Sequence, residues 1–434
     1  MNTFDQILPI VKDVLAKYRG DALEELGEIL LNRDLNSRIR LIVSDGLRDN
    51  SAANETLQTI ADDLLNSLGH RAYPINRAIL FESDLNKAKE EAPSFPLEGF
   101  DRVFVVDRLT TEGNWASIKP ESSGVPRIVF FSIKGGVGRS SALASVAWSL
   151  AQAGKRVLVF DLDLESPGLS SSLLPKNKQP AYGITDWLVE DLVDNGDAVL
   201  DSLFATSEFS HDGEIYVVPA HGVDPGEYVS KLGRVWMPKL GQDGLRESWS
   251  QRLQRLISAL EQRIEPDVIL IDSRAGIDEV ASSCVTDLGA SLVLLFAIDG
   301  TQTWSGYRIL FDYWRRANVV PTIRERLQVV SALTPETEQI AYLERLRDSA
   351  YDLFLDMQYD EIPPGEVADR SWSFESSDFS APHYPWPVKW HRSFSGLYSL
   401  HGRLAEIDIE TVRALFGPLI DGIVQTIPLE KNNA

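Results

Sequence analysis

The sequence predicts an α/β protein, with a doubly wound, mostly parallel sheet preceded by a smaller α/β unit. Three observations carry this expectation. From residue 127 onward, short unalternated Val/Ile/Leu runs recur with helix-patterned stretches between them, as expected of strands covered on both faces. The stretch TEGNWASIKPESSGVP, residues 111–126, is rich in Ser, Gly, Pro and charge and reads as a linker. The length of 434 residues exceeds that of one ordinary compact domain. The expected division is a small unit at 1–110, a linker at 111–126 and a large unit at 127–434.

In the small unit, VKDVLAKY and DALEELGEILL have helical character, and RIRLIVSD at 38–45 reads as a strand. NETLQTIADDLLNSLG repeats apolar residues at helical spacing, with Gly69 placed to end it. AILFES and RVFVVDR at 102–108 supply two more strands. The acids of this unit are scattered on helix faces and form no catalytic grouping. In the large unit, strands are expected at 127–133, 156–163, 215–220, 267–273, 290–298 and 326–333. Helices are expected between them, including 249–264 and 305–317.

Composition excludes several functions. A single cysteine, Cys284, leaves no disulfide framework within the chain and fits a reducing, cytoplasmic location. It also leaves no cysteine cluster for a structural zinc or an all-cysteine iron–sulfur site in one subunit. The start, MNTFDQILPIVKDVL, lacks the pattern of a secretory signal. No apolar run approaches the roughly 18 residues that span a bilayer. The formal net charge of −22 disfavours nonspecific binding to DNA or anionic membranes, although a local basic patch remains open.

The chemistry lies at KGGVGRSS, residues 134–141. It follows a buried strand and precedes a helix of small residues. Gly135, Gly136 and Gly138, with Val137 among them, let the backbone wrap a phosphate with its N–H groups inward. The following helix N-terminus adds the positive end of its dipole. Ser140 is the natural magnesium ligand and Ser141 a natural phosphate contact. The base that normally closes such a loop is lysine; here it is Arg139, and Lys134 stands at the front.

This string resembles the deviant Walker A motif of the ParA/MinD group of P-loop ATPases, of the SIMIBI class, in its KGGVGR variant. The resemblance covers about 127 to 300 well, 326 to 425 weakly and the first 126 residues not at all. It implies ATP and Mg2+ as ligands. It implies that Lys134 reaches across a nucleotide-sandwich homodimer to the partner's phosphates, and that Arg139 takes the place of the lysine on the β- and γ-phosphates. RVLVFDLDLESPGL, 156–169, is similar to the second strand and switch I. There Asp163 would orient the attacking water, with Asp161 close to the magnesium shell. DVILIDSRAGIDEV, 267–280, is similar to the Walker B strand and switch II. There Asp272 would hold a magnesium-bound water and Gly276 would sit near the γ-phosphate.

Arginine is always cationic and grips phosphate oxygens bidentately, so binding is expected to survive the substitution. Its bulk and charge placement suit slow hydrolysis or none. Arg274 has two readings, a γ-phosphate contact or a pairing with a neighbouring carboxylate, of which the pairing is preferred. Where the family offers an adenine-reading Asn, VVSALTPET provides Ser331 and Thr334 instead, so adenine over guanine rests on the resemblance alone. The cysteine count removes the iron–sulfur branch, and no tyrosine-rich tail suggests an autokinase. The tail from 411 onward reads as a packed closing helix, not a basic membrane helix. The stretch 380–403, rich in His, Trp and Pro, reads as a rigid extended loop beside the base or a partner, or as a buried structural loop. His383, His391 and His401 are expected to pack, not to bind metal. Three functions follow: an ATP-dependent dimerising switch acting on an unidentified partner, a nonhydrolysing scaffold or sensor recruiting an effector through its N-terminal unit, and, ranked last, a small-molecule ligase or kinase. KGGVGR proteins resemble components of bacterial conflict or defence operons, which leaves that role open.

Overall fold

A computed structural model of the protein describes residues 3–90, 92–109, 113–210, 212–240, 245–362, 371–391 and 409–428. The chain divides into two compact units, one of Met1–Ser117 with Tyr313–Val319, the other of Ile118–Asp312 with Val320–Ala434.

The first unit is built on strands β1 (Ile29–Arg33), β2 (Ile39–Ser44), β3 (Ile79–Glu82), β4 (Ser94–Pro96) and β5 (Val103–Asp107). They form one sheet in the order β3-β2-β1-β5-β4. Helices Ile7–Ala16 and Ser51–Leu68 share a core with Ile29 and Leu31 of β1, and Leu30 belongs to a second cluster. The stretch expected to be helical at 21–31 is corrected here. The helix is only Asp21–Leu26, Gly27 at φ 68° ends it, and Ile29–Arg33 is the central strand. A short apolar run buried on both faces has no period that separates strand from helix. Asn50 caps Ser51–Leu68, and Gly69 at φ 57° ends it as expected.

The second unit carries β6 (Arg127–Ser132), β7 (Arg156–Asp161), β8 (Ala205–Thr206), β9 (Glu214–Val218), an antiparallel pair of β10 (Lys239–Leu240) and β11 (Arg246–Glu247), then β12 (Val268–Ala275), β13 (Leu292–Ala297), β14 (Leu327–Thr334) and β15 (Trp386–Lys389). The main sheet has eight strands in the order β15-β14-β13-β6-β12-β7-β9-β8. All neighbours are parallel except the edge pair β8/β9. The expected strands are all present, and the expected helix at 249–264 is Trp249–Ile264, capped by Ser248.

Alternate residues of β6 face opposite layers. Ile128 and Phe130 join a core with helices Arg139–Gln152 and Ile409–Thr426. Phe131, pointing the other way, meets Tyr307 of helix Thr301–Arg316 edge-on. The sheet is thus covered on both sides, as a doubly wound fold requires. Among the described residues, no helix is long and apolar enough to cross a membrane.

The stretch beginning at 380 is not simply a loop: Trp386–Lys389 is an edge strand paired with β14. Pro387 is tolerated there because an edge strand leaves one side without ladder bonds. His383 is fully buried, its ring bonded to the Tyr359 hydroxyl and the Ser376 carbonyl. His391 is partly buried, and His401 lies outside the described residues. The closing helix packs Gly422 against Trp386, where a Cβ would come within 2.3 Å of the indole. Gly422→Ala is therefore expected to lower stability by about 1–3 kcal/mol through overpacking, read as a drop in thermal midpoint; an unchanged midpoint would show that β15 and the closing helix do not pack closely.

Candidate functional site

The phosphate-type loop runs from the end of β6, the strand between β12 and β13, into helix Arg139–Gln152. Lys134, Gly135 and Gly136 are exposed, and Val137 is buried beneath them. Gly136 and Gly138 take φ of 72° and 79°, in the left-handed region that favours glycine. Gly138 is also the helix N-cap, and without a side chain it leaves the first-turn N–H groups uncapped. Gly276, at φ 99°, donates its N–H to the Ser132 carbonyl at 2.9 Å and fixes the end of β12 beside the loop. Ser141 is buried, with its carbonyl taken by the Ser145 hydroxyl.

Three carboxylates meet this loop. Asp161 and Asp272 are register partners on the neighbouring strands β7 and β12, and Asp163 follows two residues beyond β7. Asp161 accepts from the Ser170 N–H at 3.1 Å, while Arg139 folds inward to Asp272 and Asp163. Its Nε donates to Asp272 Oδ1 at 2.8 Å, Nη1 to the Ser132 hydroxyl at 2.9 Å, and Nη2 lies 3.5 Å from Asp163 Oδ2. Burial opposes this charge, but Asp272 and Asp163 outweigh it and hold the guanidinium's pKa above its ordinary value. The Ser140 hydroxyl donates to the other oxygen of Asp272. Burial first, then repulsion from Asp272, pushes the Asp161 carboxyl up to about 7. Burial also raises Asp163, against the pull of Arg139.

Two oxygens have no partner: Asp161 Oδ1 and Asp163 Oδ1 are both buried and unsatisfied. Buried orphan carboxylate oxygens are costly and suggest a missing cation or water. Among the described residues, no three His, Cys, Asp or Glu side chains are grouped closely enough to hold a metal ion. An all-protein cage is therefore absent from that set. The donors present, a serine hydroxyl and carboxylates, still fit magnesium, which keeps several waters and takes phosphate oxygens as ligands.

The segments after the two acidic strands are tied together. Arg274 pairs with Glu165 at 2.7 Å and with Asp278 at 3.2 Å, the carboxylate pairing expected of it. The Tyr228 hydroxyl donates to the Leu164 carbonyl at 2.6 Å. Ser331 and Thr334 bond to each other at 2.8 Å across Leu333, which adopts φ 51°. A Cβ on Gly138 would come within 3.2 Å of Leu333, so the end of β14 adjoins the loop. Ser132, Glu165, Tyr228 and Leu333 escape sequence reasoning, because a lone residue of these types carries no spacing signal. Cys284 is fully buried, and burial pushes its thiol pKa up, away from reactivity.

A glycine loop between a central parallel strand and a helix, with acids at the ends of the adjacent strands, defines a nucleotide-binding P-loop domain. The chain belongs to the CobQ/CobB/MinD/ParA nucleotide-binding domain family, whose model matches residues 128–408. It is 32% identical over 180 residues to the chloroplastic septum site-determining protein minD homolog of Arabidopsis thaliana, covering 41% of this chain and 47% of that one. It is 39% identical over 70 residues to the cytosolic Fe-S cluster assembly factor CFD1 of Yarrowia lipolytica, covering 16% and 24%. The chain thus spans about half the length of the first relative and about a quarter of the second. The solved structure of a ParA family ATPase from Chlorobium tepidum TLS superposes with a TM-score of 0.45 at 14% identity, covering 69% of this chain and 98% of that one.

Gly138→Ala places a side chain at positive φ and against Leu333. It is expected to lose about 1–2 kcal/mol of stability, read by thermal unfolding of nucleotide-free protein. A variant as stable as the native chain would show that the loop does not hold this backbone conformation.

Proposed function

We propose that the protein is a magnesium-dependent ATP-binding switch that hydrolyses ATP slowly, forms a nucleotide-sandwich homodimer and regulates a partner protein in the cytoplasm, with a bacterial conflict or defence system as its setting. The observation that carries this reading is the convergence of the glycine loop's buried Arg139 with Asp163 and Asp272, the latter in register with Asp161. The backbone of Gly135–Ser141 cradles the phosphates, with Gly276 alongside. Magnesium, held by Ser140 and through water by Asp161 and Asp272, would offset phosphate charge. Asp163 orients the attacking water. Lys134, exposed on the loop, reaches the phosphates bound by the second copy. Hydrolysis loosens the segments that carry Asp163 and Gly276, and the dimer separates.

A second reading keeps the same site but not the turnover: a nonhydrolysing scaffold or sensor in which residues 1–110, joined through 111–126, recruit an effector. It is favoured by one observation, an arginine at 139 where a loop of this type normally ends in lysine.

Steady-state ATP turnover and size-exclusion mass, with and without ATP and magnesium, separate the two. Asp163→Ala is expected to lower turnover by about 10²-fold or more, the usual cost of losing a positioned proton-handling group, while trapping an ATP-dependent dimer. Native protein that binds ATP without turnover would contradict the switch and support the scaffold. Lys134→Ala is expected to bind ATP within about threefold of native, a change under 1 kcal/mol, yet to form no ATP-dependent dimer; dimer formation by this variant would remove the bridging role.

A further inference from the structure

We propose that Arg139 acts as a positioning residue, an internal counter-ion that holds Asp163 and Asp272 together and aligned, and that the phosphates are gripped by the loop's backbone instead of by this guanidinium. This rests on the ATP-binding reading above and assigns a separate task to one of its residues.

The geometry turns the fork toward the strand ends. A guanidinium offers five N–H groups in one plane, and here Nε donates to Asp272 and Nη1 to Ser132, while Nη2 lies 3.5 Å from Asp163 as an ion pair. The side chain is 7% exposed, so it lies within the strand ends instead of over the exposed turn at 134–136. A lysine in its place would present a single point charge and no fork. It could not span Asp272, Ser132 and Asp163 in one plane.

The surroundings explain why a fork is placed here. Parallel register brings Asp161 and Asp272 side by side, and Asp163 follows two residues beyond the end of β7, within ion-pair distance of the same arginine that bonds Asp272. Removing one partner of a buried ion pair leaves an uncompensated charge, which is strongly destabilising. Arg274, on the strand that carries Asp272, is engaged with Glu165 and Asp278. The Ser132 hydroxyl that accepts from Arg139 donates in turn to the Lys134 carbonyl at 2.9 Å. The guanidinium's position is thereby linked to the first turn of the loop through one hydroxyl. The same guanidinium places a cation 3.5 Å from Asp163 Oδ2 in the nucleotide-free chain, which is the contact through which it would preorganise that carboxylate.

Affinity and turnover therefore separate. Arg139→Gln is expected to bind ATP and ADP within about threefold of native by calorimetry while its kcat falls by about 10²-fold. Arg139→Lys, the variant that keeps the charge, also retains affinity and loses turnover, because the fork is lost. Independently of nucleotide, Arg139→Gln lowers the thermal midpoint of the native background and lowers it less in an Asp163→Asn background. The result that overturns the proposal is a tenfold or greater loss of ATP affinity in Arg139→Gln with no coupling to Asp163→Asn in melting. Faster hydrolysis by Arg139→Lys would overturn it equally. Should Arg139→Gln fail to fold, Arg139→Lys carries the affinity, turnover and melting comparisons. If native protein binds no nucleotide, the ATP reading fails, and the melting cycle on nucleotide-free protein still decides whether Arg139 and Asp163 are coupled.

Discussion

Like charge crowded at the ends of parallel strands is the constraint around which this site is organised. Parallel register sets Asp161 opposite Asp272 on β7 and β12, and Asp163, two residues beyond β7, shares Arg139 with Asp272. Carboxylates removed from water repel one another and lose solvation together, which is why Asp161 is displaced to about 7. One buried guanidinium offsets part of that cost. Ser140 satisfies the far side of Asp272, and the orphan oxygens of Asp161 and Asp163 mark the part that the chain itself leaves uncompensated.

The fold delivers these groups without long-range adjustment. In open α/β sheets, ligands gather outside the carboxyl ends of the strands, and here the loop after β6 emerges beside β12, with β7 the next strand beyond it. Gly136, Gly138 and Gly276 supply the positive φ values that bring the backbone around without a side chain in the way. The two segments that follow the acids are joined by Arg274 to Glu165, a pair whose side chains are 33% and 42% exposed. An exposed ion pair contributes about 0–1 kcal/mol, so it can break at little cost, which suits segments meant to rearrange. Tyr228 adds a backbone-directed bond to Leu164 in the first of them.

Much of this is legible in the sequence because its signals are local. The glycine loop is eight consecutive residues, and the buried strands announce themselves as unbroken apolar runs from β6 to β14. Where the signal is short the reading fails: Ile29–Arg33 follows a helix so closely that only Gly27, turning to positive φ, separates them. The edge strand at Trp386–Lys389 is concealed by Pro387, which argues against a strand until its edge position is known. The direction of the Arg139 side chain is a different kind of omission. It depends on Asp272 and Asp163, brought near by sheet register and a turn, and on a lone serine at the end of β6, none of which leaves a spacing to read.

Calorimetric titration of a purine nucleoside triphosphate into folded, magnesium-supplemented protein asks whether the amides around Gly136 clasp a triphosphate at all. Saturable heat with ATP, weakened when magnesium is chelated, is the predicted result. The absence of heat with both ATP and GTP, in protein whose thermal unfolding remains cooperative, would contradict it.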